Sequence, residues 1–134
     1  MMVSDEVCAF LRDNIDSFES LEILLLLRRE RIAWTAEELC RRLGTRAALI
    51  DDALASLVRA RLVNTADRDT LVLYRYADAD SARDAIVGSL ERAYRDESME
   101  VMRLMSTYAI ERLRTGALRA FADAFVFRKG KGRG

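Results

Sequence analysis

Residues 35–63, TAEELCRRLGTRAALIDDALASLVRARLV, constrain the fold more than any other stretch of this chain. Thr35 is placed to cap a helix, and Glu38, three residues on, can close a capping box. Trp34 can staple onto Leu39, fixing the angle at which the chain enters that helix. Gly44 stands where a short helix ends in a left-handed residue. A further helix is expected from about Arg46 to Arg61, with Ile50, Leu54 and Leu57 recurring at helical spacing. Two short helices joined by a glycine turn are how a helix-turn-helix reads in sequence.

Other elements surround this pair. A first helix is expected over about Asp5 to Asn14, with Val7, Phe10, Leu11 and Ile15 on one face. Ser17 can cap a second, IDSFESLEILLLLRRER, whose leucines make a face broad enough to be buried on more than one side. Arg28, Arg29 and Arg31 crowd its C-terminal turn, where positive charge complements the helix dipole. Beyond residue 61, LVNT and LVLYRYA flank ADRD. Val72, Tyr74 and Tyr76 share one face of a strand, and Asp67 and Asp69 favour a turn between two strands. The last third is helical. Asp80 or Ser81 can cap a segment bearing Ile86, Leu90, Ala93, Tyr94, Val101, Leu104 and Met105, whose apolar stripe is interrupted near Glu97 and Ser98. Gly116 is either tolerated within a helix or marks a break before a last one. There Leu118, Phe121, Ala122 and Phe125 form an i, i+3, i+4, i+7 face.

The expected fold is therefore mainly α: a winged helix-turn-helix core with a small two-stranded β-wing and additional N- and C-terminal helices. One domain is expected over residues 1–127, with the winged core at about 17–77 and a helical extension at about 81–127. Residues 128–134, RKGKGRG, read as a basic flexible tail, either solubilising or an arm that touches phosphates.

Composition narrows the function classes. The chain has no histidine, which removes the usual general base, the commonest metal ligand and the Ser-His and Cys-His nucleophile pairs together. Cys8 and Cys40 stand far apart without zinc spacing and are expected to be buried thiols. No glycine-rich phosphate loop appears. An enzyme is not expected, nor a metal or other cofactor. No apolar run approaches the roughly 18 residues of a membrane span, and MMVSDEV lacks a signal-peptide pattern, so a cytoplasmic location is the expectation. Charges balance at 22 against 22, yet four positive charges sit in the last seven residues. Residues 1–127 thus carry 18 basic and 22 acidic groups, a net of −4, a balance that does not by itself advertise nucleic-acid binding.

The succession of helices, hairpin and helices resembles the MarR-like winged-helix regulators of bacteria. LASLVRARLV resembles the end of a recognition helix running into the first wing strand. ADRD is similar to that family's wing tip, where an arginine is directed at the minor groove, and Arg68 occupies its place. A second wing-tip arginine is replaced by Asp69, and the glycine that commonly separates recognition helix from wing by Arg61. The resemblance implies double-stranded DNA as partner, a homodimer joined through the terminal helices, and an effector pocket between those helices and the winged core.

On the second helix of the pair, the side opposite Ile50 collects Ala48, Asp52, Ala55 and Arg59, with Asp51 on its flank. A base-reading face usually offers Arg, Lys, Asn, Gln, Ser or Thr. The candidate DNA contacts are therefore Arg42, Thr45, Arg46, Arg59 and Arg68. Ala48, Asp51, Asp52 and Ala55 instead suit a protein partner, which makes a winged-helix adaptor the alternative. Leu118, Phe121 and Phe125 are the candidate dimer interface.

Overall fold

The computed structural model describes residues 3–131, and side chains as far as residue 124. Six helices and one hairpin follow in the order α1 (Asp5–Asn14), α2 (Phe18–Glu30), α3 (Ala36–Leu43), α4 (Ala47–Arg59), β1 (Val63–Arg68), β2 (Leu71–Tyr76), α5 (Ser81–Asp96) and α6 (Ser98–Lys131). This is the expected mainly helical architecture with a two-stranded wing. Among the described residues no helix is long and apolar enough to cross a membrane.

The core is organised around α2. Ser17 and Ser20 close a capping box at its start, and Ile23 to Leu27 are five consecutive buried residues. A helix apolar all round must be covered all round. Here α4 and β2 pack against it, α5 reaches it through polar contacts, and each leucine removed from water contributes about 1.5–3 kcal/mol. Leu39 of α3, Ile50, Leu54 and Leu57 of α4, Tyr76 of β2 and Val87 and Leu90 of α5 complete this interior. On the other side α1 buries Val7, Phe10 and Leu11 and packs on α5 and α6.

Four expectations are adjusted. The interruption near Glu97 is a break between helices: Glu97 leaves helical geometry at φ −132°, ψ 45°, and α6 starts afresh. Gly116 marks no break and lies inside α6, with nothing within 4 Å of where a Cβ would stand. Cys8 and Cys40 are half-buried rather than fully enclosed. α6 continues to Lys131, four residues into the segment read as a basic tail, and residues 132–134 lie outside the described ones.

Candidate nucleic-acid interface

The outward surface of the winged core is built by α3, α4 and the hairpin, and its positioning starts with the caps. Thr35 Oγ1 accepts from the Glu38 N–H at 3.1 Å, and Glu38 Oε1 accepts from the Thr35 N–H at 2.9 Å. The Thr35 N–H, with the Thr35 hydroxyl beside it, holds the Glu38 carboxyl below its usual range. At the other end Gly44 takes φ +65° and donates to Cys40 O at 2.9 Å. Space at that position is open, so the backbone angle, not crowding, favours glycine there.

The start of α4 is handled differently. Arg46 is the N-cap residue and provides no side-chain cap, which leaves the first turn facing outward beside Thr45 and Arg46. The end of α4 is tied down firmly. Buried Ser56 donates to Asp16 Oδ2 at 2.9 Å, and Arg83 of α5 donates to the carbonyls of Ala60 and Arg61 and to Asn14 Oδ1. Arg61 adopts φ +61°, so the left-handed turn from helix into wing is made here without a glycine.

The wing is a two-residue hairpin in which Arg68 pairs with Leu71 and Val63 with Tyr76. Asp69 takes φ +57° at the first turn position, a geometry Asp tolerates better than most residues. Asp67 to Val72 are all exposed at the tip. The base is anchored twice. Trp34, the residue expected to staple α3, exchanges backbone hydrogen bonds with Tyr74 at 2.9 and 2.8 Å as a bridge on the outer edge of β2. Buried Tyr76 donates its hydroxyl to Asp84 Oδ1 at 2.6 Å, the same oxygen that accepts from Arg28 Nε at 2.9 Å. Arg28 reaches Glu91 with a second nitrogen at 2.9 Å, and the Arg31 guanidinium lies 4.9 Å from the Tyr76 ring centroid. Burial and the Asp84 carboxylate push the Tyr76 hydroxyl above its usual range. The Tyr76 and Arg28 hydrogen bonds hold the Asp84 carboxyl below its own. Gly88 opens the passage for Arg28, since a Cβ there would stand 2.9 Å from Arg28 Nη2.

The candidate contacts divide into two places. Arg46 and Arg68 are exposed and carry no ion pair among the described residues, Thr45 is half-buried with its hydroxyl on Leu43 O at 3.4 Å, and Arg42 lies 3.9 Å from Glu30. Arg59 lies at the far end of α4, about 20 Å from Arg46 at helical rise, in a cleft with Arg12 of α1 and Arg112 of α6. Ala48, Asp51, Asp52 and Ala55 are exposed, and neither aspartate has an ion pair among the described residues. Leu118 and Phe121 stand out on α6, whereas the Phe125 side chain lies outside the described ones. The sequence reading named neither Arg83 nor Asp84, adjacent residues that brace α4 and the wing; no local pattern marks them, because their partners lie far along the chain.

No protein-family model and no curated protein matches the chain. Solved structures do. HlyU from Vibrio cholerae N16961 superimposes with a TM-score of 0.54 and 26% identity over 70% of this chain and 98% of HlyU. The fold is a winged helix-turn-helix. Mb0332 from Mycobacterium bovis is described as a homodimeric winged helix-turn-helix DNA-binding domain and a possible ArsR-family transcriptional regulator. It matches with a TM-score of 0.52 at 23% identity, covering 70% of this chain and 92% of that fragment. A mutant of MepR from a multidrug resistant S. aureus clinical isolate gives 0.52 at 10% identity over 90% of this chain and 87% of its own.

Proposed function

We propose that this protein is a MarR-like bacterial transcription regulator that binds double-stranded DNA as a homodimer. In this reading α4 enters a major groove, Thr45 and Arg46 hold phosphates at its uncapped start, and Arg68 reaches the adjacent minor groove from the wing tip. Arg42 adds a phosphate contact when it leaves Glu30. The observation that carries the reading is that Arg46 and Arg68, from separate elements, stand exposed on the reading helix and the wing and form no ion pair among the described residues. The likeness to Mb0332, a DNA-binding domain and a homodimer by its description, supports both halves. α6 supplies the dimer contact through the exposed Leu118 and Phe121, together with Phe125.

A mobility-shift assay on fragments of its own promoter region tests this. Complex is expected at low salt, and Arg68→Ala should weaken it by about tenfold, the value of one good arginine contact. No complex at low salt would overturn the reading.

The charge balance favours a second reading. Residues 35–72 carry six arginines (Arg41, Arg42, Arg46, Arg59, Arg61, Arg68) and six carboxylates (Glu37, Glu38, Asp51, Asp52, Asp67, Asp69). With Arg59 turned into the cleft, the surface is short of positive charge for a phosphate backbone. A winged-helix adaptor would use Ala48 and Ala55 for close approach and Asp51 and Asp52 for a basic protein surface. Asp52→Arg separates the two: it should strengthen DNA binding in the first reading and abolish a co-purifying partner in the second.

A further inference from the structure

We propose that Arg83 of α5 is a positioning residue for DNA binding: it fixes the tilt of α4 on the C-terminal helices, and through that tilt the spacing of the two half-sites that a dimer selects. The spacing rests on the DNA reading above; the tilt does not. α4 packs on α2, α3 and the first wing strand, and has no comparable packing on α5 or α6. Its end is joined to those helices by side chains instead. One route runs from Ser56 through Asp16 to Arg112 of α6 and passes through the loop between α1 and α2. The direct route is Arg83.

The first turn of α5 presents this side chain from a fixed base. Asp80, the N-cap residue, accepts from the Arg83 N–H at 3.0 Å. The guanidinium then donates to Arg61 O at 3.3 Å, to Ala60 O, and to Asn14 Oδ1 at 3.2 Å. Asn14 is held in turn at the end of α1, where its amide nitrogen donates to Phe10 O at 3.3 Å and its oxygen is left for Arg83. All three acceptors are neutral. Two of them are carbonyls just past the last turn of α4, where a helix leaves such groups unpaired and its dipole is negative. A planar guanidinium spans the carbonyls of consecutive residues with two nitrogens at once, a fork that a lysine ammonium does not offer.

The next residue, Asp84, holds the other end of the wing through the Tyr76 hydroxyl at 2.6 Å. One helical turn thus grips both ends of the hairpin, but not equally. Asp84 is also bound by Arg28, and Tyr76 also lies against Arg31, so the end of the wing keeps contacts when one is lost. At the start of the wing, Arg83 is the one side chain of α5 hydrogen-bonded to residues 60 and 61 among the described residues. Leverage makes that contact matter. The turn at 60–61 lies about 20 Å from the start of α4 at helical rise. A tilt of ~10° about it moves Arg46 by ~3.5 Å, close to the ~3.4 Å rise of one base pair. Opposed tilts in two protomers change the separation of the reading helices by up to about two base pairs.

Two measurements compare the full chain with Arg83→Gln, after circular dichroism has established folding. If Arg83→Gln does not fold, Arg83→Lys takes its place, since it keeps the charge and loses the fork. The first measurement uses no DNA: residual dipolar couplings of the backbone amides report how α4 and the wing are oriented on α5 and α6. In the variant the couplings of α4 and β1 should change together relative to those of α5, by an amount corresponding to a tilt of about 10°. The second selects bound duplexes from a random-sequence pool. The unaltered protein should enrich paired half-sites at one spacing. The variant should enrich the same half-sites at two or more spacings, and bind the original spacing about tenfold more weakly. Its slope of log K against log salt should be unchanged, because no phosphate contact is removed. Couplings that match the unaltered protein, a single unchanged spacing, or a shallower salt slope in the variant overturn the positioning role. Changed couplings with no half-sites enriched by the unaltered protein overturn the DNA reading and the spacing with it, and support the tilt alone.

Discussion

α2 and α6 are both rich in large apolar residues, yet they live in different surroundings. In α2, Ile23 to Leu27 are all enclosed, whichever side of the helix they occupy. In α6 the large apolar side chains described beyond Tyr108 stand in the open: Leu113 is 75% exposed, Leu118 64% and Phe121 73%. The difference is one of available cover. α2 is flanked by α4, α5 and the wing, whereas residues 110–124 of α6 are all exposed, even where Arg112 ties back to the Asp16 carbonyl. Exposed apolar surface of this size on a helix marks an interaction site more often than a core. α2 therefore carries the fold, and the outer half of α6 is the face we propose for association.

The largest expected effect lies in α2. Leu24→Ala should lower unfolding free energy by about 2–5 kcal/mol in urea denaturation, because it leaves a cavity no neighbour can fill. Phe121→Ala should change the stability of the folded chain by less than about 0.5 kcal/mol while weakening self-association in sedimentation equilibrium. Equal losses of stability from the two substitutions would break the comparison.

A finer version of the same contrast separates α3 from α4. α3 is closed at both ends by its own residues, whereas the start of α4 is open. Gly44→Ala should cost about 1–2 kcal/mol by thermal denaturation, since a Cβ is strained at φ +65°. Thr35→Ala should cost about 1 kcal/mol through the lost cap. Arg46→Ala, at the open end, should cost little stability. A loss as large as at Thr35 would mean that its side chain supports the helix after all.

The smallest effect is pH-dependent. The folded state holds Asp84 below its unfolded value, so its contribution is fully present above the unfolded range and is lost as pH falls through the lowered folded value. The wing base should thus stay intact at mildly acidic pH and loosen only below the ordinary carboxylate range. In Asp84→Asn that component of the acid transition should disappear, as followed by the near-ultraviolet signal of Tyr76.

The part of this molecule that was legible in sequence is the part set by neighbouring residues. The bounds of α1, the Thr35–Glu38 box, the left-handed Gly44 and the buried Ile50, Leu54 and Leu57 each follow from spacings of four residues or fewer. Gly116 was ambiguous because an exposed helix tolerates one glycine at a cost of about 1 kcal/mol, less than the surrounding turns supply. Long-range pairings were not legible. Arg83 reaches carbonyls 22 and 23 residues away, Arg28 a carboxylate 56 residues away, and the surroundings of Arg59 are set by residues near 12 and 112. Such polar pairings follow no periodicity, so only the folded chain brings them together.

If α4 and the wing form a duplex-binding surface with few phosphate contacts, the salt dependence of binding reports it most directly. Fluorescence anisotropy of a labelled duplex reads that dependence. With Thr45 neutral, Arg42 and Arg46 on phosphates and Arg68 bringing its charge into the minor groove between them, each protomer supplies three cations and a dimer displaces the counterions of about six phosphates. The slope of log K against log salt should then be about −5, and nearer −4 in Arg68→Ala. Saturable binding with that slope supports the account; no anisotropy change even at the lowest salt contradicts it.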